Sequence, residues 1–151
     1  MLISKAKTAQ VGGYGLSPII SNPTFAATIK SSRWLAPEIT DPASKSGSKP
    51  PTASKSADVF AFAMLVMEVF TGKVPFGNMA EGSVVVKIAD GKRPAMPQAA
   101  EQLGLTTEMW KFVEKCWTPN PNKRPTFDEV VRRLGGFVNG YAVSCPDPSA
   151  A

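Results

Sequence analysis

The sequence predicts a mainly α-helical fold, with a short β-hairpin, a long loop and then about four to five helices around a buried central helix. Three observations predict it. Residues 59–67 form an unbroken apolar run, VFAFAMLVM, that continues through Glu68, Val69 and Phe70 to Thr71 and Gly72. Three later stretches carry apolar residues at helical spacing, two of them behind recognisable capping residues. Prolines, 14 in 151 residues, cluster between these stretches. A residue without an amide donor punctuates helices there, so the chain reads as segmented and loop-rich.

In chain order, residues 2–11 read as two short strands around a turn at 4–7. Gly12, Gly13, Tyr14 and Gly15 follow, where the backbone bends freely. Residues 18–34 show no sustained periodicity, and the polar run of Thr28, Lys30, Ser31, Ser32 and Arg33 is expected to be exposed. A loop of that length suggests function. Residues 41–55, rich in serine, lysine and proline, read as a flexible, solvated linker. The helix over the 59–67 run is apolar all round and belongs in a core, with Gly72 suited to its C-terminal stop and Pro75 preventing continuation. Further helices are predicted over 80–90, 107–117 and 126–138. Thr106 or Thr107 can cap the second of these, which places Met109, Phe112, Val113 and Cys116 on one face. Thr126 and Glu129 have the spacing of a capping box for the third.

Composition narrows the function. With 43% apolar and 19% charged residues, the chain resembles an ordinary soluble domain. A chain this long can bury about 70% of its unfolded surface, enough for a real core. The lack of any histidine excludes histidine-based acid/base catalysis within the chain and argues against an ordinary zinc site. Cys116 and Cys145 lie far apart without metal-ligand spacing, as expected of reduced thiols in a cytosolic protein. The first twenty residues lack an apolar signal region, and no apolar run approaches the roughly 20 residues that span a bilayer. The expectation is a cytoplasmic protein with no membrane partner. The net charge of +5 is spread along the chain without interleaved stacking aromatics, so no nucleic-acid partner is expected either.

Four segments together point to a family. Leu35-Ala36-Pro37-Glu38 looks like the motif that closes an activation segment, and Tyr14-Gly15-Leu16-Ser17 upstream resembles that segment's D-F-G-L-S opening. Asp58-Val59-Phe60-Ala61-Phe62-Ala63 resembles D-V-W-S-F-G at the head of a buried central helix. Cys116 and Trp117 with Pro121, Arg124, Pro125 and Phe127 match the approach to a final helix; this is the most specific of the four. In this order the segments resemble the lower (C-terminal) lobe of protein kinases. The last one, with Gly91-Lys92-Arg93-Pro94 before it, is similar to tyrosine kinases and the tyrosine-kinase-like serine/threonine group. The resemblance covers nearly the whole chain, implying a partial kinase domain over 1–138 and a flexible tail over 139–151.

The resemblance implies roles for particular residues. Glu38 and Arg124 would pair in the interior, tying the end of the loop to the last helix, where a surface pair would be worth only about 0–1 kcal/mol. Asp58 would hold the backbone of the catalytic loop, although an acid near a helix N-terminus is also favoured by the macrodipole alone. Trp117 belongs to the final motif. Kinases bind ATP with a glycine-rich loop and a lysine, hold Mg²⁺ with carboxylate or carboxamide groups, and orient the acceptor with an aspartate. Met1-Leu2-Ile3 aligns just after the catalytic-loop asparagine, so the nucleotide-binding lobe and catalytic loop would precede the first residue. Gly13 stands where the family has its Mg²⁺-binding aspartate, with Tyr14 for phenylalanine, and glycine offers no carboxylate to a hard cation.

The expectation is therefore a pseudokinase-like fragment with no catalytic, cofactor-binding or metal-binding residue of its own. ATP and Mg²⁺ belong to the parent family. What remains is protein binding through the lower lobe, with Thr28, Ser31 and Ser32 as candidate phosphorylation sites beside Lys30 and Arg33, or else as ordinary polar loop residues. Two alternatives stay open: a truncated part of an active ATP-dependent kinase, and an unrelated helical binding module sharing motifs by chance. The face of the central helix that would pack under a catalytic loop lacks its cover. Such an apolar patch invites aggregation or a partner and makes the isolated chain marginal in solution.

Overall fold

The computed structural model describes residues 2–6, 8–10, 32–40, 54–97 and 100–144, with side chains described as far as residue 137. The linker residues 41–53, the glycine-rich loop and most of the long loop lie outside the described residues. The chain divides into two compact units, 1–30 and 31–151.

The first unit carries the hairpin. Strands β1 (Leu2–Ile3) and β2 (Ala9–Gln10) pair antiparallel, with Leu2 opposite Gln10 and Ile3 opposite Ala9. Ser4 closes the turn twice. Its amide donates to the Thr8 carbonyl at 2.9 Å, and its hydroxyl oxygen accepts from the Thr8 amide at 3.1 Å.

The second unit holds five α-helices among the described residues: α1 (Pro37–Thr40), α2 (Lys55–Thr71), α3 (Glu81–Ala89), α4 (Thr107–Cys116) and α5 (Phe127–Ser144). Short 3₁₀ turns occupy Ser32–Trp34, Glu101–Leu103 and Pro121–Lys123. Helix α2 begins before its apolar run, because Ser54 caps it by accepting from the Ala57 amide at 3.1 Å. It ends where Gly72 takes φ +64° and donates its amide to the Glu68 carbonyl at 2.8 Å. That left-handed turn favours glycine.

The core is built around α2. Phe60, Ala63 and Met64 are fully buried and share one cluster with Val84 and Ile88 of α3, Phe112, Val113 and Cys116 of α4, and Val130 of α5. Val69, however, is 58% exposed and Phe62 only half-buried, so α2 is not enclosed on every side as its composition predicts. Thr106 is the cap of α4, accepting from the Met109 amide at 3.2 Å. Thr126 accepts from the Glu129 amide at 3.3 Å, which is one half of the capping box. Helix α5 runs through Ser144, so residues 139–144 continue a helix where the sequence predicts a tail. Leu134 and Phe137 pack partly against the core, which anchors the helix as it passes the Gly135–Gly136 pair. No helix among the described residues is long and apolar enough to cross a membrane.

Candidate functional site

Helix α1, the head of α2, the loop after α3 and the loop between α4 and α5 converge on a set of buried charges. Arg124 follows the Pro121–Lys123 turn with its side chain fully enclosed, and Glu38 on α1 is 27% exposed. Arg124 Nη1 and Nη2 reach the two Glu38 oxygens at 2.6 and 2.8 Å, a bidentate geometry. The remaining donors go to the carbonyls of Ser56 at 2.9 Å, Thr118 at 2.8 Å and Pro119 at 3.1 Å. One side chain thus gathers α1, the first turn of α2 and the loop leading to α5.

A second arginine shares this neighbourhood. Arg93 donates to the carbonyls of Trp117 at 3.0 Å, Ile88 at 3.0 Å and Lys92 at 2.7 Å, while its Nη2 is buried without a partner among the described residues. The ring of the fully buried Phe60 serves both cations: the guanidinium carbon of Arg93 lies 4.9 Å from its centroid and that of Arg124 5.2 Å. Burial, and then the charge of Arg124, push Arg93 down to about 10 against the opposing pull of Glu38. Burial by itself would raise the Glu38 carboxyl. The hydrogen bonds of Arg124 and the backbone, with the charges of Arg124 and Arg93, more than offset this and hold it below its ordinary 4.5.

The other two residues singled out as structural lie close by. Asp58 sits exposed in the first turn of α2, beside a shallow depression of about 210 Å³ lined also by Trp34, Leu35, Ala36 and Ile39. Trp117 is buried and meets Trp110 edge to face, with centroids 5.3 Å apart and rings at 82°.

Arg33 overturns an expectation. Within a polar run predicted to be exposed, it is only 8% exposed. Burial is tolerated because its donors find acceptors: Nε reaches Glu81 Oε1 at 2.6 Å, Nη1 the carbonyls of Pro75 at 2.8 Å and Gly77 at 3.0 Å, and Nη2 the Met79 carbonyl. Ser32 donates its hydroxyl to Glu81 Oε2. Neighbouring Trp34 donates its indole N–H to Glu68 Oε2 at 3.1 Å. Neither Glu81 nor Glu68 stands out in the sequence; the only signal is an acid in the first turn of an amphipathic helix for Glu81 and a charge interrupting an apolar helix for Glu68. Gly13, Tyr14, Thr28 and Ser31 lie outside the described residues.

The sequence model of the family described as protein tyrosine and serine/threonine kinase matches residues 1–134. The chain belongs to this protein kinase family. Among its curated relatives, inactive tyrosine-protein kinase 7 of Mus musculus is 33% identical over 138 residues, covering 89% of this chain and 12% of the relative. Dual specificity protein kinase pyk3 of Dictyostelium discoideum is 28% identical over 135 residues, covering 89% of the chain and 9% of the relative. Serine/threonine-protein kinase VIK of Arabidopsis thaliana is 31% identical over 137 residues, covering 87% and 28%. This kinase-family chain therefore spans between about a tenth and a quarter of these relatives.

Proposed function

We propose that this kinase-family chain forms the lower lobe of a pseudokinase domain and acts by binding protein rather than by transferring phosphate. The observation that carries the reading is Gly13, a residue without a side-chain carboxylate at the position where the family holds Mg²⁺ through an aspartate. Among the described residues no group of three or more His, Cys, Asp or Glu side chains is arranged to take over that ion. Gly13 and the described residues offer no side-chain set that fits the Mg²⁺ of the parent family. The relationship to proteins named inactive tyrosine-protein kinase 7, from Mus musculus and Homo sapiens at 33% and 31% identity, supports the same reading. What is retained is framework: the Glu38–Arg124 tie and the charges gathered around Phe60 keep a surface in shape without doing chemistry. The reading places the domain in the reducing cytoplasm, where Cys116 remains a thiol.

Thermal shift with ATP alone and with ATP plus Mg²⁺ tests it, on the 151-residue chain and on a longer protein carrying it. No shift in either is expected, and Gly13→Asp in the longer protein should introduce Mg²⁺ dependence. A Mg²⁺-dependent rise in the unaltered longer protein would overturn the reading and make the chain a segment of an active kinase, as the names of the dual-specificity and serine/threonine relatives would then suggest.

A further inference from the structure

A depression of about 590 Å³ opens between the first turn of α2 and the first turn of α5. We propose that it is a docking site for an extended peptide segment of a partner protein, one in which an apolar residue stands between an acidic and a basic one. The proposal rests on the protein-binding half of the reading above and not on the loss of phosphate transfer.

The lining is apolar where it is deep. Val59 of α2, only 1% exposed, meets Pro121 and Pro125, and Phe127 adds an aromatic face. Arg124 borders the same floor but offers a ligand nothing, because its donors are committed to Glu38 and to the Ser56, Thr118 and Pro119 carbonyls. A lone exposed aromatic needs no explanation. Phe127, however, borders a volume within the range of about 300–1,000 Å³ typical of ligand sites. Phe62 holds its ring edge to face, with centroids 6.4 Å apart and planes at 65°, while 41% of the residue stays open to solvent. A ring already fixed in this way loses little freedom when a partner packs on it, which is what makes aromatic anchors effective at interfaces.

The rim decides what kind of partner fits. Lys55, Asn122, Thr126 and Asp128 are all exposed. A site for a drug-sized molecule encloses most of its ligand, whereas this open trough suits a chain that crosses it, burying one side chain and leaving its flanks in water. Lys55 stands on the α2 side and Asp128 on the α5 side, and among the described residues neither forms an ion pair. An acid on one flank of the crossing chain meets Lys55, and a base on the other meets Asp128. A peptide with two like-charged flanks is repelled at one wall or the other, so these unpaired charges supply selectivity while Phe127 and Val59 supply the contact area.

The full chain is titrated by calorimetry with the peptide acetyl-Asp-Pro-Leu-Pro-Lys-amide, whose prolines keep it extended and cut the ordering cost. Saturable binding is expected. Lys55→Glu and Asp128→Lys should each weaken it about fivefold or more at low salt, and Phe127→Ala about tenfold. In the Lys55→Glu chain, a probe with its Asp replaced by Lys should bind at least about threefold tighter than the original probe. That charge exchange carries the test if Phe127→Ala, which also takes a contact from Phe62, folds poorly. The same titration on a longer protein carrying the chain keeps the test valid where the isolated chain aggregates. No saturable binding, or binding indifferent to both charge reversals, would overturn the proposal. A dimer of the chain that Phe127→Ala abolishes, with no peptide bound, would overturn it in favour of a second copy as the occupant. Nucleotide binding is read separately, so a Mg²⁺-ATP shift beside peptide binding would remove the pseudokinase reading and leave this site standing.

Discussion

At the scale of single residues, Arg124 and Glu38 are unequal partners. Arg124 is wholly enclosed and answers three backbone carbonyls besides the carboxylate, so Arg124→Met strands several acceptors at once and should cost about 3–5 kcal/mol by chemical denaturation. Glu38→Gln, at a partly exposed position that keeps one hydrogen bond, should cost less. The acid response separates them further. The folded chain holds the Glu38 carboxyl below its ordinary 4.5, so its contribution is fully present above that value and fades as pH falls through the folded one. Native chain should therefore lose stability over that acid window more steeply than Glu38→Gln; parallel curves would mean that the carboxylate is not what Arg124 needs. Cys116 responds in the opposite sense. Burial, and then the charge of Glu129, push its thiol up to about 12, so in a Cys145→Ser chain a thiol reagent at pH 8 should label it only on unfolding. The pairing of Glu38 with Arg124 was legible only through the family motif, because nothing in the composition distinguishes either from a surface charge. Arg93 and Arg33 were not legible as buried groups, since their acceptors are carbonyls whose positions depend on the finished fold.

At the scale of elements, the helices were the most readable part of the chain. A continuous apolar run, a serine before the first turn and a glycine after the last are local signals that α2 obeys, and α4 carries a threonine cap and an apolar face. The first turn of α2 escaped because Lys55 and Ser56 are polar and adjoin a stretch that reads as linker. The end of α5 escaped because Asn139 and Gly140, poor helix formers, follow directly on its last expected residue. Glycine replacements should accordingly differ in sign. Gly72→Ala keeps a left-handed φ that a Cβ resists and should cost about 1 kcal/mol. Gly82→Ala in α3 and Gly135→Ala in α5, where a Cβ meets nothing within 4 Å, should each stabilise by about 0.5–1 kcal/mol. Thermal melts of the three variants check this, and a destabilised Gly135→Ala would mean that the pair serves a break rather than a helix.

At the scale of the helical unit, two arginines bind the 32–40 segment to the body at separate places. Arg33 draws on Glu81 and the Pro75, Gly77 and Met79 carbonyls; Arg124 draws on Glu38 and the carbonyls of Ser56, Thr118 and Pro119. The hydrogen bonds named for the two arginines have no acceptor in common. If the segment is a chain of independent attachments, the losses in Arg33→Met and Arg124→Met should add to within about 0.5 kcal/mol in the double variant. A clear excess or shortfall would mean that the segment behaves as one stiff strap. The family of the fold was legible from ordered motifs, whereas this division of labour was not, because it depends on which carbonyls the turns bring together. The tryptophans give the unit its own optical signature. Trp34, Trp110 and Trp117 are all three of the chain's indoles, and all lie within it. Excitation at the red edge of aromatic absorption therefore reports this unit and is blind to the hairpin. The edge-to-face pair, fixed at 5.3 Å, brings two indole transitions close enough to couple, so its near-ultraviolet circular dichroism should vanish with α4 packing even while backbone ellipticity persists.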